Sequence, residues 1–181
     1  MTTEIRIRQD EGFDDALPMA WDSVWIPNPN GSAGGHADWV VADPEVELNN
    51  IGGLQALRSV ETAIILCLFT DRRRPDWLTA GDDSSERRGW HGDTYDIEAE
   101  EGEGPLGSLL WTLERAALTQ DTQDKAKAYA EEALETLILQ GIIARFEIET
   151  EVDQMANRLA LGIKAYGPDG ERQYASTFTL E

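Results

Sequence analysis

The chain has 181 residues, which is enough for one domain with a sizeable core. Its 35 acidic and 15 basic residues give a net charge of −20, which argues against nucleic acid as a general partner because phosphate binding requires cations. No apolar run approaches the roughly 20 residues needed to span a bilayer, and the first residues, MTTEIRIRQ, lack the apolar core of a signal peptide. We therefore expect no membrane contact and a soluble protein made in a cytoplasm.

Residues 1–49 predict an irregular extension with short strands. Residues 4–8 alternate apolar and charged side chains, which is typical of a half-buried strand. Residues 27–38, PNPNGSAGGHAD, have the proline, asparagine and glycine content of an exposed loop or a hairpin tip. Two apolar segments, 39–41 and 46–48, are interpreted as short strands.

The main domain, predicted over residues 50–181, contains three helical patterns. Ser59 is the predicted N-cap of a helix that is apolar on nearly every side and therefore buried, and Pro75 prevents it from running on. A second helix is predicted over Pro105–Leu118, because proline suits the first turn and leucines follow at helical spacing. A third helix is predicted over Asp121–Gln140, with its first residue as the N-cap.

After the helices the apolar pattern changes to a period of two. Residues 143–151 and 158–166 alternate, Gly167–Gly170 is a strong turn, and Glu171–Leu180 supplies a third strand. These patterns predict an antiparallel three-stranded meander with one buried face. The predicted fold class is α+β, with three main helices packed on one side of a mostly antiparallel sheet. The last strand is a candidate sheet edge, which can accept a strand from another chain.

A long arginine-rich loop over residues 68–93 separates the first two helical patterns. It holds five of the fifteen basic residues and two of the six tryptophans. One interpretation is a solvated turn whose arginines pair with neighbouring carboxylates. The other is an ordered bracing and interface element, because guanidinium groups stack on rings and bind carboxylates with planar geometry. The acidic run that follows, residues 93–103, is either a solvated, mobile segment or a docking strip for a basic partner.

The candidates for catalysis and metal binding are few and poorly supported. His91 beside Asp93 suggests a loop metal site, but a single histidine without a cysteine pair does not suit one. His36 lies in a glycine-rich loop and is interpreted as solvated, and Cys67 lies among apolar helical residues, which predicts core packing. Among 35 acids no two carboxylates stand out as a glycosidase pair. We therefore predict no catalytic residue, no metal and no cofactor.

Two runs, L-F-T-D-R-R at Leu68–Arg73 and R-R-G-W-H-G-D at Arg87–Asp93, are long and unusual in composition. They resemble the signature of the tail baseplate proteins of Mu-like contractile-tailed bacteriophages and prophages. In that family the second run usually carries a second tryptophan where this chain has His91, which weakens a stacking role at that position. The resemblance covers roughly residues 50–150. Further matching features are Thr62-Ala63, Gly107-Ser108-x-Leu110-Trp111 and Ala128-x-x-Glu131-Glu132-Ala133-Leu134.

The resemblance implies a structural component of a contractile tail baseplate and not an enzyme. It implies a wedge subunit related to the lysozyme-like wedge protein of T-even phages, present in several copies in the virion tail baseplate and produced in the bacterial host cytoplasm. The expected partners are other wedge proteins and tail sheath or tube proteins, reached through the sheet edge and the arginine-rich loop. The candidate interface and bracing residues are Asp71, Arg72, Arg73, Arg87, Arg88, Trp90 and Asp93.

Two alternatives stay open alongside the baseplate hypothesis. One is a peptidoglycan hydrolase that uses a carboxylate pair. The other is a small binding module with a loop metal site at His91 and Asp93.

Overall fold

A computed structural model describes residues 24–27, 35–48, 52–79, 88–92, 95, 97–114 and 116–180. The chain divides between residues 63 and 64 into two compact units, and this division falls within a helix. The predicted boundary between an extension over residues 1–49 and a domain over 50–181 stays a prediction. The strand predicted at residues 4–8 lies outside the described residues.

The first unit contains a short β-hairpin. Strands β1, Val24–Pro27, and β2, Gly35–Asp38, pair antiparallel, which confirms the hairpin interpretation of this region. The predicted strands at 39–41 and 46–48 are wrong. Val41 makes only an isolated bridge, and the carbonyl of Asp43 accepts the N–H groups of two residues that follow, so a turn forms instead. Aspartate favours such turns because its side chain also binds nearby backbone N–H groups, here that of Glu45.

Helix α1, Ser59–Phe69, is the predicted apolar helix. Ile64 and Leu68 are almost completely buried, whereas Phe69 is 43% exposed. Ser59 is the first residue of the helix and not the residue before it, so the predicted N-cap is wrong by one position. After Pro75 the chain forms a single helical turn, α2, at Asp76–Thr79.

The second predicted helix, Pro105–Leu118, is wrong. Only a 3₁₀ turn at Leu110–Leu113 forms there, so the described residues contain two long α-helices and not three. Gly107 has φ +104°, outside the helical region, and Ser108 forms a parallel bridge to Asp71. Tertiary backbone hydrogen bonds therefore override the helical spacing of the leucines.

Helix α3, Gln120–Leu139, is the longest described element. Its N-cap is Thr119, whose side chain accepts the N–H of Thr122, and not the predicted Asp121, which lies in the first turn. Its buried stripe consists mainly of Ala126, Ala130, Ala133, Leu134 and Leu137. Neither α3 nor any other described helix has the length and apolarity to cross a membrane.

The predicted meander is confirmed. Strands β3, Arg145–Asp153, β4, Arg158–Tyr166, and β5, Arg172–Leu180, form an antiparallel sheet in the order β3-β4-β5, and α3 lies against β3. The alternation places Ile148, Ile163 and Leu161 in the core, with charged side chains of β3 on the opposite face. The fold class is therefore α+β, as predicted.

Candidate functional site

The motif residues meet in one place, which we call the motif junction. It consists of three backbone segments: residues 70–73, 88–90 and 107–111. The N–H of Ser108 donates to the carbonyl of Thr70 at 2.9 Å, and the N–H of Arg72 donates to the carbonyl of Ser108 at 3.0 Å. On the other side, the N–H of Trp90 donates to the carbonyl of Asp71 at 3.0 Å. The segment that follows α1 is thus held between the two other segments.

Ser108 fastens the junction to the end of α1. Its hydroxyl donates to the carbonyl oxygen of Leu68 at 2.5 Å and accepts the N–H of Leu110 at 3.2 Å. The last carbonyls of a helix have no partner within the helix, so a side-chain donor satisfies one of them here. Ser108 is only 3% exposed, so this bond is formed away from water.

Two glycines allow the segments to approach this closely. A β-carbon at Gly107 would lie 2.3 Å from the carbonyl oxygen of Thr70, and one at Gly89 would lie 2.8 Å from the Cα of Arg73. Both glycines have positive φ, which side-chain-bearing residues rarely adopt. The glycines in the R-R-G-W and G-S-x-L-W runs are therefore required by backbone contact.

The guanidinium of Arg88 forms the centre of the exposed side of the junction. It lies 4.9 Å from the ring centroid of Trp111 and contacts the carboxylates of Asp71 at 3.5 Å and Glu114 at 3.3 Å. The Trp111 ring is oriented in turn by its N–H, which donates to the carbonyl of Arg72 at 2.9 Å. Stacking and charge pairing thus act on the same side chain.

Arg72 connects the junction to the helix that covers the sheet. Its Nη1 lies 2.7 Å from Oε1 of Glu132 on α3, and the two residues are 60 positions apart. The Arg72 side chain is 27% exposed and that of Glu132 is 48% exposed. The pair therefore links two elements that have no sequence proximity.

Four of the seven predicted interface residues take part in the hydrogen bonds and ion pairs of the junction: Asp71, Arg72, Arg88 and Trp90. Arg73 lies against Gly89, and its side chain is exposed. Arg87 and Asp93 lie outside the described residues. Trp90 is 46% exposed, and its ring lies over Gly92, where a β-carbon would approach it to 2.5 Å. Whether these residues form an interface stays a prediction.

Several residues that hold the junction together were missed as site residues. The matching motif features already contained Gly107, Ser108, Trp111 and Glu132, so the resemblance was a signal that could have found them. Glu114 carried no sequence signal, because one carboxylate among 35 acids cannot be singled out without the fold.

A cavity of about 270 Å³ lies beside the junction. It is lined mostly by apolar side chains, among them Leu110 and Leu159, together with the carboxylates of Asp71 and Glu114. Both carboxylates already contact Arg88. Their observed role is therefore ion pairing within the junction.

The geometry gives little support to a reactive cysteine or to a metal site. Cys67 is 4% exposed, and burial raises the pKa of its thiol to about 11, so the reactive thiolate is scarce at neutral pH. Within the described ranges, no group of three or more histidine, cysteine, aspartate or glutamate side chains is placed to hold a metal ion. His91 is exposed and its ring lies 5.5 Å from that of Trp90.

The fold and the junction define a small α+β protein whose charged and aromatic motif residues connect its own backbone segments. The chain belongs to the phage protein GP46 family, whose profile matches residues 60–172. This confirms the resemblance to the Mu-like baseplate family, while the relation to T-even wedge proteins stays a prediction.

Two relatives support the family assignment. The chain is 43% identical over 93 residues to baseplate protein gp46 of Escherichia phage Mu, a match that covers 51% of this chain and 60% of that protein. It is 35% identical over 125 residues to the Mu-like prophage FluMu protein gp46 of Haemophilus influenzae, covering 67% of this chain and 81% of that protein. No solved structure matches the chain.

Proposed function

We propose that this protein is a non-enzymatic structural subunit of a contractile phage or prophage tail baseplate. One observation carries the proposal: the family's motif residues converge on a junction where arginine, aspartate and tryptophan side chains hold backbone segments together. The phage Mu relative is named a baseplate protein, which indicates the assembly in which such a subunit would act. The protein then resides in the virion tail baseplate in several copies, after synthesis in the host cytoplasm.

The outer edge of β5 is the proposed site for strand addition by a wedge, sheath or tube protein. In the part of the chain that the structure describes, β5 pairs with β4 alone. Between Arg172 and Leu180 the strand carries neither proline nor a further charge, which are the usual means of blocking a sheet edge. Backbone groups along such an edge can bind an extended segment of another chain.

Trp90 is the proposed aromatic anchor of a second contact. Its backbone N–H is bonded to Asp71, and its ring is held against Gly92, so the exposed ring has a defined position. Ordered tryptophan and arginine side chains are frequent energetic centres of interfaces because they bury a large area at low entropic cost. The ring of Trp90 and the guanidinium of Arg88 therefore form the loop surface that meets a neighbouring wedge subunit.

The experiment is co-expression with the tail proteins encoded beside this chain in its source genome, followed by affinity capture and identification of the bound subunits. Wild type is expected to capture wedge or sheath proteins. Trp90→Ser is expected to lose capture by about 10-fold or more. The matched control is Trp39→Ser, because Trp39 is 59% exposed and lies in the other unit. Absence of any captured tail protein with wild type, or equal losses for both variants, contradicts the proposal.

The absence of hydrolase activity is part of the same proposal. The two carboxylates beside the cavity, Asp71 and Glu114, both serve Arg88 as ion-pair partners. Purified protein is expected to leave a suspension of peptidoglycan turbid across a broad pH range. Clearing that disappears in the Asp71→Asn variant would instead establish the hydrolase alternative.

A further inference from the structure

A groove of about 320 Å³ lies between α3 and β3. Its lining combines apolar and acidic side chains: Ile138, Phe146 and Ile148 with Glu131, Glu132 and Glu135. The groove shares Glu132 with the ion pair that connects the junction to α3, and the rest of its lining belongs neither to the junction nor to β5.

The floor of the groove is apolar and partly open to water. Ile148 is buried, Phe146 is half-buried, and Ile138 is 40% exposed. The next helical residue, Leu139, is 64% exposed. Apolar side chains that are contiguous and rimmed by charged groups are typical of a surface that another molecule covers.

The rim of the groove carries an excess of negative charge. Glu131 lies 3.9 Å from Lys127 and Glu132 is paired with Arg72, while Glu135 adds a third carboxylate on the same helix. The last turn of α3 contains no basic residue. The carbonyl end of a helix is itself a negative pole that favours cations, so the helix dipole reinforces the rim charges.

Gly102, near the end of the acidic run, is attached to this same end of α3. The hydroxyl of Thr136 donates to the carbonyl of Gly102 at 3.1 Å, and Gly102 lies in close contact with Leu139. The exposed carboxylates of Glu98 and Glu103 belong to this attached segment. Negative charge therefore extends from the groove along the adjoining surface.

We propose that the groove binds a segment of a partner protein in which lysine or arginine residues stand beside apolar ones. The aliphatic stems of such basic side chains lie on Ile138 and Phe146, while their charged ends reach the glutamates of α3. The negative charge of the rim favours a basic segment as the occupant of the groove. A second copy of the chain, with its net charge of −20, is repelled from the same surface. The inference concerns a groove that borders the motif junction at Glu132, and it does not depend on the baseplate assignment.

The test uses the full chain and a short peptide in which lysine and leucine alternate, with binding followed by fluorescence anisotropy at physiological ionic strength. A second peptide, in which lysine and serine alternate, has the same charge and no apolar side chains. The lysine–leucine peptide is expected to bind at least about 10-fold more tightly, because only it covers the apolar floor.

Two double variants distinguish binding at the groove from a general response to the net charge of the protein. Glu131→Gln with Glu135→Gln removes two rim carboxylates and one exposed ion pair, and is expected to weaken peptide binding by about 2- to 30-fold. Glu149→Gln with Glu151→Gln also removes two carboxylates and one exposed ion pair, that of Glu149 with Lys164, but on the opposite side of the sheet. This control is expected to change binding by less than about 2-fold.

A second pair of variants tests the apolar floor. Ile138→Ser is expected to weaken binding of the lysine–leucine peptide by about 3-fold or more, whereas Met155→Ser, at a fully exposed site, is expected to leave it unchanged. Equal effects of the two glutamate double variants would show a response to net charge and overturn the proposal. Sedimentation that shows a dimer abolished by Ile138→Ser would make a second copy the occupant and would overturn it as well.

Discussion

The hydroxyl of Ser108 donates a hydrogen bond to the backbone carbonyl oxygen of Leu68, which lies 40 positions earlier in the chain. The bond joins the end of the central helix to a segment that local spacing alone predicted to be a helix of its own. It is the buried core of the motif junction, around which the charged contacts of Arg72 and Arg88 are arranged.

Ser108→Ala is expected to lower the free energy of unfolding by about 1–3 kcal/mol, because it leaves a buried carbonyl and a buried N–H without their partner. Chemical denaturation followed by circular dichroism measures this loss. Ser176→Ala is the control, since its hydroxyl makes no hydrogen bond within the described part of the chain, and less than about 0.5 kcal/mol is expected there. Equal losses would contradict the role given to Ser108.

Gly107→Ala is expected to destabilise the protein by at least about 2 kcal/mol, because the new β-carbon meets the carbonyl of Thr70 and φ +104° is strained for alanine. Gly104→Ala is the matched control, because a β-carbon there meets nothing within 4 Å. The control is expected to be neutral or slightly stabilising. Thermal unfolding of both variants measures the difference, and a neutral Gly107→Ala would refute the close approach of the two segments.

The Arg72–Glu132 pair is expected to contribute a coupling free energy of about 0.2–1 kcal/mol, because both side chains are partly exposed and screened by water. A double-mutant cycle with Arg72→Ala and Glu132→Ala measures it. The coupling should shrink as salt is added. The Lys127–Glu131 pair, at 3.9 Å, supplies a reference cycle in which a smaller coupling is expected. A reference coupling as large as that of Arg72 would argue against a specific link to α3.

Acid stability is expected to depend on Glu147. The hydrogen bond from Arg145 chiefly lowers the pKa of this carboxyl, and the hydroxyl of Tyr166 lowers it further. The folded-state pKa is thus below the ordinary 4.5, so the stabilisation is complete above about pH 4.5 and is lost as the pH falls through the lower folded value.

Glu147→Gln is therefore expected to lose part of its stability at neutral pH and to show a flatter decline towards acid than wild type. Tyr166→Phe keeps the ring under Arg145 and removes one of the two hydrogen bonds, so an intermediate slope is expected. Urea midpoints measured from neutral pH to about pH 3 compare the three proteins. Parallel curves for Glu147→Gln and wild type would contradict the assignment.

The elements that were predictable are those whose pattern is local and uninterrupted. α3 presents a stripe of alanine and leucine over 20 residues. In the meander, apolar and polar side chains alternate along three strands, and the Gly167–Gly170 turn joins the last two. In both cases the apolar period and the burial agree. The same reasoning failed at Pro105–Leu118. The leucine spacing there is helical, but the backbone groups of Ser108 form hydrogen bonds with Thr70 and Arg72, which follow α1.

The candidate site was predictable only in part, for a similar reason. Asp71, Arg72, Arg88 and Trp90 stood out because they form dense runs close together in the sequence. Glu114 carried no sequence signal, and Glu132 was noticed only within a motif run and not as a partner of arginine, although each pairs with one of those arginines. A carboxylate among many becomes a specific partner only when the fold places it within a few ångströms of a guanidinium.

By itself the sequence determined the α+β class, the buried apolar helix, the long amphipathic helix and the meander, because each follows from the period of its own side chains. It also supplied the arginine and tryptophan runs that identify the family. Only the tertiary structure decided that Gly107 and Ser108 lie against Thr70, and that Gly102, near the end of the acidic run, lies beside Leu139. These contacts join residues far apart in the chain. They stabilise the fold only after the chain between the two residues has closed into a loop, so the local sequence pattern does not reveal them.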